Sequence, residues 1–243
     1  MRHAVQWLLS LIFVIQMYLA MILLALIFTP IALFRREASF RWMQIYCRWT
    51  RISARWIVGL RTEIRGEIPT GAVLIASKHQ SFLDSICLFS VLDGPRFIMK
   101  AELAWIPLMG WHAVRIGCIP VNRGKRGQAI KKMLDEVKAG SVSPGQLIIY
   151  PQGTRVAPGV VKPYKSGSAA LYSQLGQPCY PVATNVGVFW PKHGILRKPG
   201  LAVVEFLPAI APGLSNAAFM AQVETAVETR SNALMAEAGW SAA

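Results

Sequence analysis

The sequence of 243 residues has few acidic side chains, with 12 Asp and Glu against 26 Lys and Arg and a formal net charge of +14 at pH 7. Charged residues make up only 16% of the chain and hydrophobic residues 53%. This composition excludes a disordered chain and disfavours an ordinary soluble enzyme. A strongly basic chain binds either nucleic acid or an anionic membrane surface. The basic residues cluster beside an apolar run, which favours the membrane and argues against nucleic acid.

Cysteine is scarce, and several common functional motifs are missing. The four cysteines, Cys47, Cys87, Cys118 and Cys179, are far apart and form no C-x-x-C pair. They are typical of free thiols in a reducing compartment and indicate neither a disulfide framework nor a zinc site. The chain also lacks G-x-G-x-x-G, G-x-x-x-x-G-K-[ST], G-x-S-x-G and H-E-x-x-H. It therefore has no dinucleotide, P-loop, nucleophile-elbow or zinc-protease signature.

Residues 4–34 contain no charged side chain. As one helix this run would be about 46 Å long, more than the roughly 30 Å of hydrocarbon in a bilayer. It predicts one tilted membrane span, or two shorter helices that enter the membrane without crossing it, with an end or kink near Pro30. A cleaved signal peptide is the alternative, but its apolar core would be shorter, and no small-residue cleavage site precedes Arg35 and Arg36.

The basic residues around this run are distributed unequally. Arg2 is the only Lys or Arg before the run, and six arginines follow it at positions 35, 36, 41, 48, 51 and 55. Because positive charge is retained in the cytoplasm, we expect the rest of the chain to lie on the cytoplasmic face of the cell (inner) membrane.

A second membrane signal lies in residues 40–57. Three tryptophans recur every seven residues, at Trp42, Trp49 and Trp56, with an isoleucine midway in each interval and an arginine before each tryptophan. Tryptophan beside arginine is typical of a helix in the headgroup layer. A helix that packs its tryptophans on the domain core shows the same periodicity, so the sequence leaves both interpretations open.

Beyond residue 60, apolar β-branched runs alternate with helical patterns. The predicted strands are residues 72–76, 96–99, 114–121, 146–150, 180–188 and 201–206, and the predicted helices are residues 85–92, 128–139, 166–175 and 216–238. This alternation predicts an α/β fold with a central, mostly parallel sheet flanked by helices. Functional side chains are then expected in the loops at the strand ends.

His79 follows the first of these predicted strands and precedes Asp84 by five residues. A turn into a helix there can bring the carboxylate back onto the imidazole. An imidazole bonded at one ring nitrogen keeps the other nitrogen free to accept a proton. The pair therefore indicates a general base whose nucleophile belongs to the substrate, although this spacing alone is weak and often marks a structural hydrogen bond.

A second polar group lies in the stretch from Tyr150 to Arg155, directly after another predicted strand. Gly153 permits close backbone approach, and the planar guanidinium of Arg155 suits a phosphate. Lys100 and Arg123 end two other strands and can point to the same place. Each of these cations alone is also typical of a solvated surface.

Taken together and in this order, these blocks resemble the glycerolipid acyltransferase family typified by 1-acylglycerol-3-phosphate O-acyltransferase. Residues 79–84 match its first motif, H-x-x-x-x-D, and Lys100 with residues 116–123 matches the second. Residues 151–155 resemble the third, usually P-E-G-T-R, and residues 181–183 resemble the fourth, an apolar strand with proline. The resemblance runs from about residue 61 to residue 188.

The resemblance implies transfer of an acyl group from acyl-CoA or acyl-ACP to the free hydroxyl of lysophosphatidic acid, giving phosphatidic acid in phospholipid biosynthesis. His79 would be the general base and Asp84 its support. The substrate-binding residues would be Lys100, Arg123, Gln152, Gly153, Thr154 and Arg155. Neither a metal nor a bound cofactor is expected, and the partners would be membrane lipids and the two substrates. Residues 1–60 would form membrane-anchoring and interfacial helices, and residues 61–243 the α/β acyltransferase domain.

One position departs from the family pattern. Gln152 stands where the third motif usually has glutamate. A glutamine carbonyl still accepts a hydrogen bond but carries no charge, so any role of the glutamate must be met neutrally here. The departure leaves open another acceptor, such as a lyso-ornithine lipid. A non-catalytic protein that binds anionic lipid is the alternative from another class, and the His–Asp pair disfavours it because binding alone needs no base.

Overall fold

Two long antiparallel helices open the chain in the computed structural model, which describes residues 2–121, 131 and 145–241. Helix α1 covers Arg2–Phe34 and continues through Pro30, and α2 covers Arg36–Val58. Gln16 joins the two helices: its Nε2 donates to Ser53 Oγ at 3.0 Å, and its Oε1 accepts from Trp49 Nε1 at 2.9 Å. The apolar run is therefore one helix, and the alternative of two shorter helices is not what the structure shows.

Helix α2 divides the predicted tryptophan stripe between the core and the surface. Trp42 is 1% exposed and packs edge-on against His112, with ring centroids 4.9 Å apart. Trp49 is 47% exposed and Trp56 is 78% exposed. A seven-residue repeat drifts by about 20° per repeat on a straight helix, so the stripe moves away from the buried face along α2. The core interpretation holds for Trp42, and the other two tryptophans remain available to a membrane surface.

A seven-stranded sheet forms the centre of the molecule. Its strands are β1 Leu60–Arg65, β2 Val73–Ser77, β3 Pro95–Lys100, β4 Ile119–Val121, β5 Gln146–Ile149, β6 Cys179–Thr184 and β7 Gly200–Phe206, in the order β1-β7-β6-β2-β5-β3-β4. All neighbouring pairs are parallel except β6 and β7. The predicted α/β class with a mostly parallel sheet is confirmed.

Helices cover both faces of this sheet. They are α3 Phe82–Val91, α4 Met109–Arg115, α5 Gly167–Leu175, α6 Val186–Phe189 and α7 Asn216–Glu237, with a 3₁₀ turn at Ala101–Trp105. Alternate residues of β2 point to opposite faces. Val73 and Ile75 join the core with α1, α2 and α3, whereas Leu74 and Ala76 join the core with α5 and α7. Because β2 is buried on both faces, the loop after it is held rigidly.

Two predicted strands have other bounds in the structure, and one observed strand was not predicted. The predicted strand over residues 114–121 begins with the last two residues of α4, and only Ile119–Val121 is a strand, because Gly117 turns the chain with φ +97°. The predicted strand over residues 180–188 ends at Thr184. There the side chain of Asn185 binds Val203 N and Leu234 O and directs the chain into α6. Strand β1 is not among the predicted strands. The helix predicted over residues 128–139 lies outside the described residues, apart from residue 131.

Candidate active site

The loop from β2 to α3 places His79 against Asp84. Asp84 Oδ1 lies 2.9 Å from His79 Nδ1, and Asp84 Oδ2 accepts the N–H groups of Gln80 at 2.8 Å and Ser81 at 2.9 Å. Ser81 is the N-cap of α3, and Asp84 completes its capping box. One carboxylate therefore both starts the helix and orients the imidazole. The Asp84 side chain is 0% exposed and that of His79 is 17% exposed, so the histidine is the member of the pair that solvent or a substrate can contact.

Tyr150 completes this group, although the sequence assigns it no role. Its ring stacks on the His79 ring with centroids 3.8 Å apart and an angle of 13°. Its hydroxyl donates to Asp84 Oδ1 at 3.3 Å and lies 2.6 Å from Ser85 Oγ. Burial and the Asp84 carboxylate raise the pKa of Tyr150 well above its ordinary value, so it stays a neutral donor. Its position directly after β5, which pairs with β2, is the signal that could have identified it.

The turn formed by residues 151–155, here called the PQGTR turn, is tied to the histidine by its backbone. Val156 N donates to the His79 carbonyl at 2.7 Å, and Gly153 N donates to the Tyr150 carbonyl at 2.8 Å. Gly153 has φ +68°, a conformation that glycine adopts at little cost. Arg155 is partly exposed, and its Nη1 donates to the Lys192 carbonyl at 3.3 Å. Thr154 beside it is also partly exposed.

Lys165 adds a cation that the sequence did not single out. Its backbone N–H donates to the Pro151 carbonyl at 3.0 Å. A Cβ atom placed on Gly153 would lie 3.0 Å from Lys165 Nζ, so the ammonium lies directly against the glycine of the turn. Lys165 lies ten residues after the motif, in a stretch without helix or strand. Nothing in the sequence therefore links it to this site.

Gln152 differs from its neighbours because its side chain is buried, at 2% exposed. Its Nε2 donates to the Lys162 carbonyl at 3.1 Å and lies 3.5 Å from Glu228 Oε1 on α7. Its Oε1 has no hydrogen-bond partner among the described residues. The glutamine therefore uses its donor inside the protein, and the predicted contact of its carbonyl with a substrate stays a prediction.

The two remaining predicted cations lie toward the β4 edge of the sheet. Lys100 ends β3, is exposed, and is opposite Val121 in the β3–β4 ladder. Arg123 lies outside the described residues. In the described part of the chain, no three His, Cys, Asp or Glu side chains cluster closely enough to hold a metal ion. The site thus presents an oriented histidine, a neutral phenol and nearby cations. Such a group can take a proton from a hydroxyl whose carrier bears an anion.

Comparison with known proteins supports the family resemblance that the sequence motifs indicated. The sequence pattern of the family described as Acyltransferase matches residues 60–185. The 1-acyl-sn-glycerol-3-phosphate acyltransferase of Pseudomonas aeruginosa is 31% identical over 77% of this chain and 73% of its own length. The mouse 1-acyl-sn-glycerol-3-phosphate acyltransferase alpha is 29% identical over 66% of this chain and 58% of its own length.

A crystal structure shows the same fold. The 1-acyl-sn-glycerophosphate (LPA) acyltransferase of Thermotoga maritima superposes with a TM-score of 0.79 at 21% identity, over 100% of both chains. The fold is therefore shared over the whole length, including the two N-terminal helices. The chain belongs to the 1-acyl-sn-glycerol-3-phosphate acyltransferase family.

Proposed function

We propose that this protein transfers a fatty acyl group from acyl-CoA or acyl-ACP to the free hydroxyl of 1-acylglycerol-3-phosphate and so makes phosphatidic acid. The observation that carries the proposal is the His79–Asp84–Tyr150 group, in which a buried carboxylate and a neutral phenol fix the imidazole. The relatives named above are acyltransferases that act on 1-acylglycerol-3-phosphate, which supports the choice of acceptor.

The chemistry follows from the orientation of the imidazole. With Nδ1 bonded to Asp84, Nε2 takes the proton of the acceptor hydroxyl as its oxygen attacks the thioester carbonyl. A C–O bond forms and the C–S bond breaks, and the imidazolium returns the proton to the departing thiolate. Asp84 stabilises the imidazolium between these two transfers. A general base of this kind contributes about 10²- to 10⁴-fold to the rate.

The cations around the PQGTR turn would hold the phosphate of the acceptor. Arg155 ends the turn, and the next residue, Val156, is bonded to the His79 carbonyl. Lys165 lies against Gly153 of the same turn. Lys100 ends the strand next to β5, and Arg123 joins this set on the strength of the family motif alone. A phosphate fixed by the turn would present the hydroxyl of the same molecule to the histidine, which is catalysis by positioning.

The membrane attachment of the enzyme follows from α1. This helix is long and apolar enough to cross a membrane, yet both of its ends are bonded to the rest of the protein. Gln6 Nε2 donates to the Arg197 carbonyl at 2.8 Å near its start, and the Leu33 carbonyl accepts from Arg115 Nη2 at 3.1 Å near its end. We infer that α1 lies along the cytoplasmic face of the inner membrane, with its exposed apolar side in the bilayer.

One experiment tests the reaction. Purified full-length protein is incubated with oleoyl-CoA or oleoyl-ACP and a panel of lysolipids, and the products are identified by mass. We expect phosphatidic acid from lysophosphatidic acid. Acylation of lyso-ornithine lipid alone would assign the enzyme to a different acceptor within its family. Binding of anionic vesicles with no product from any acceptor would contradict an acyltransferase.

A further inference from the structure

An ion pair between a buried lysine and a half-buried glutamate lies beside the catalytic loop and takes no part in the mechanism described above. The Lys78 side chain is 3% exposed, and its Nζ lies 2.6 Å from both carboxylate oxygens of Glu228. Lys78 immediately precedes His79, whereas Glu228 belongs to α7 near the end of the chain. A lysine buried to this extent requires a counterion, and α7 supplies it.

The same carboxylate also contacts the PQGTR turn and the segment that follows it. Tyr164 Oη donates to Glu228 Oε1 at 2.9 Å, and Gln152 Nε2 lies 3.5 Å from that oxygen. Glu228 therefore joins the residue before His79, the residue before Gly153 and the segment that carries Lys165. These three pieces of chain carry the base and two of the proposed phosphate ligands, Arg155 and Lys165.

The surroundings of Gln152 determine which side chain position 152 can hold. Both groups that face its Nε2 are acceptors, namely the Lys162 carbonyl and the Glu228 carboxylate. An amide satisfies both because it donates two N–H bonds. A glutamate there would put a carboxylate against a carbonyl and a second carboxylate, and the two carboxylates would compete for the Lys78 ammonium.

We propose that Glu228 is a positioning residue for the acyl transfer. It supplies from α7 the carboxylate that the PQGTR turn lacks, and its presence accounts for an amide at position 152, where the family pattern has glutamate. Through Lys78, Tyr164 and Gln152 it fixes the turn and Arg155 relative to His79. This inference rests on the proposed function, because the group that Glu228 helps to position is the phosphate of the proposed acceptor.

The test uses the full-length enzyme and three variants, Glu228→Gln, Gln152→Glu and the double variant that exchanges the two residues. Glu228→Gln keeps the size of the side chain but leaves Lys78 without its counterion. We expect KM for lysophosphatidic acid to rise about tenfold with kcat changed less than about threefold, since binding rather than chemistry is weakened. Gln152→Glu should also raise KM. The double variant should have a lower KM than Gln152→Glu alone, because the new carboxylate then faces an amide.

Glu224→Gln is the matched control, since Glu224 lies one turn earlier on α7 and its side chain makes no hydrogen bond or ion pair within the described residues. The KM of this variant should match the wild type. If Glu228→Gln does not accumulate as folded protein, Tyr164→Phe removes one hydrogen bond from the carboxylate and should raise KM about threefold. A merely structural role would lower the active fraction, and so the apparent kcat, without changing KM.

Two results separate the failure of this inference from the failure of the proposed function. An unchanged KM in Glu228→Gln, or a double variant whose effect equals the product of the single effects, overturns the positioning role while the reaction stands. A wild-type enzyme that leaves lysophosphatidic acid unacylated contradicts the proposed acceptor. The same KM comparison is then made with whichever lysolipid of the panel is acylated, with the same expected pattern.

Discussion

At the scale of single residues, Asp84 carries both folding and chemistry. Its carboxylate caps α3 through the N–H of Ser81 and holds the His79 ring through Nδ1. The same carboxylate also accepts the N–H of Gln80 at 2.8 Å. The geometry of the base is therefore set as soon as the helix forms, and no separate element is needed to place it.

Replacing His79 with alanine should abolish acyl transfer and leave the fold intact. His79 acts on the proton during its transfer. Its side chain is 17% exposed, so the alanine variant loses little packing. Turnover should fall about 10²- to 10⁴-fold, while circular dichroism and lysolipid binding stay near wild type. Near-normal turnover in this variant would exclude His79 as the base.

Replacing Arg155 with alanine should weaken the binding of acceptors that carry a phosphate. A charge-assisted contact in a partly buried site is worth about 1.5–3 kcal/mol, which should raise KM for lysophosphatidic acid about tenfold or more. Arg155→Lys keeps the charge without the planar fork and should recover part of the loss. The deciding control is a lysolipid without a phosphate, because an equal loss on both acceptors would give Arg155 a structural or donor-binding role.

At the scale of elements, the sequence predicted those with a clear internal pattern. The long α1 was predicted from its uncharged run, the buried strand β2 from its apolar β-branched run and α7 from its apolar stripe. Strand β1 was missed because LRTEIR has three charged residues and is mostly half-buried between β7 and solvent. The end of β6 was misplaced because a side-chain bond of Asn185 to distant segments, and not a local signal, stops the strand.

The residues of the candidate site also divide into those that a local pattern predicted and those that depend on distant contacts. His79, Asp84 and the PQGTR turn were found because motif spacing is local in sequence. Lys78, Tyr164 and Glu228 were missed because the contacts of Glu228 with Lys78 and Tyr164 span 150 and 64 residues and depend on how α7 packs against the sheet. An ion pair between such distant segments has no spacing rule that a single sequence can reveal.

Helix α2 offers a matched pair of substitutions. Trp42 is buried in the core and Trp56 is 78% exposed on the same helix. Trp42→Ala should cost about 3–5 kcal/mol of unfolding free energy through the cavity it leaves. Trp56→Ala should leave the thermal midpoint within error but lower the partition into anionic vesicles roughly tenfold. Equal vesicle binding by the Trp56 variant and the wild type would place that face of α2 away from the bilayer.

At the scale of the whole molecule, the two N-terminal helices are part of the same packed structure as the sheet. Phe13 and Met17 of α1 lie in one hydrophobic cluster with Ile75 of β2 and Val204 of β7. The division at residue 60 into an anchoring unit and an acyltransferase domain therefore stays a prediction about function. Because the two parts share a core, a change at their junction should alter the stability of the whole fold.

His112 lies at that junction and should make stability depend on pH. It is 0% exposed; its Nε2 is 3.1 Å from Thr29 Oγ1 on α1, and its Nδ1 is 2.9 Å from Ser39 Oγ on α2. Trp42 and Trp111 pack against the ring. Burial, with the nearby charge of Arg115, lowers the pKa of His112 to about 4. The folded protein thus holds this histidine neutral, whereas the unfolded chain protonates it near its ordinary pKa of about 6.5.

The stability that His112 contributes is therefore present in full above about pH 6.5 and is lost as the pH falls toward about 4. We expect the thermal midpoint of the wild type in detergent to drop between pH 7.5 and pH 5. His112→Gln can still bond to both hydroxyls without titrating, so it should show a smaller drop over the same interval. His193→Gln is the control, because His193 is exposed, and it should follow the wild type. If His112→Gln and the wild type lose the same number of degrees, acid acts on the fold through other groups, and the junction of α1, α2 and α4 does not sense pH.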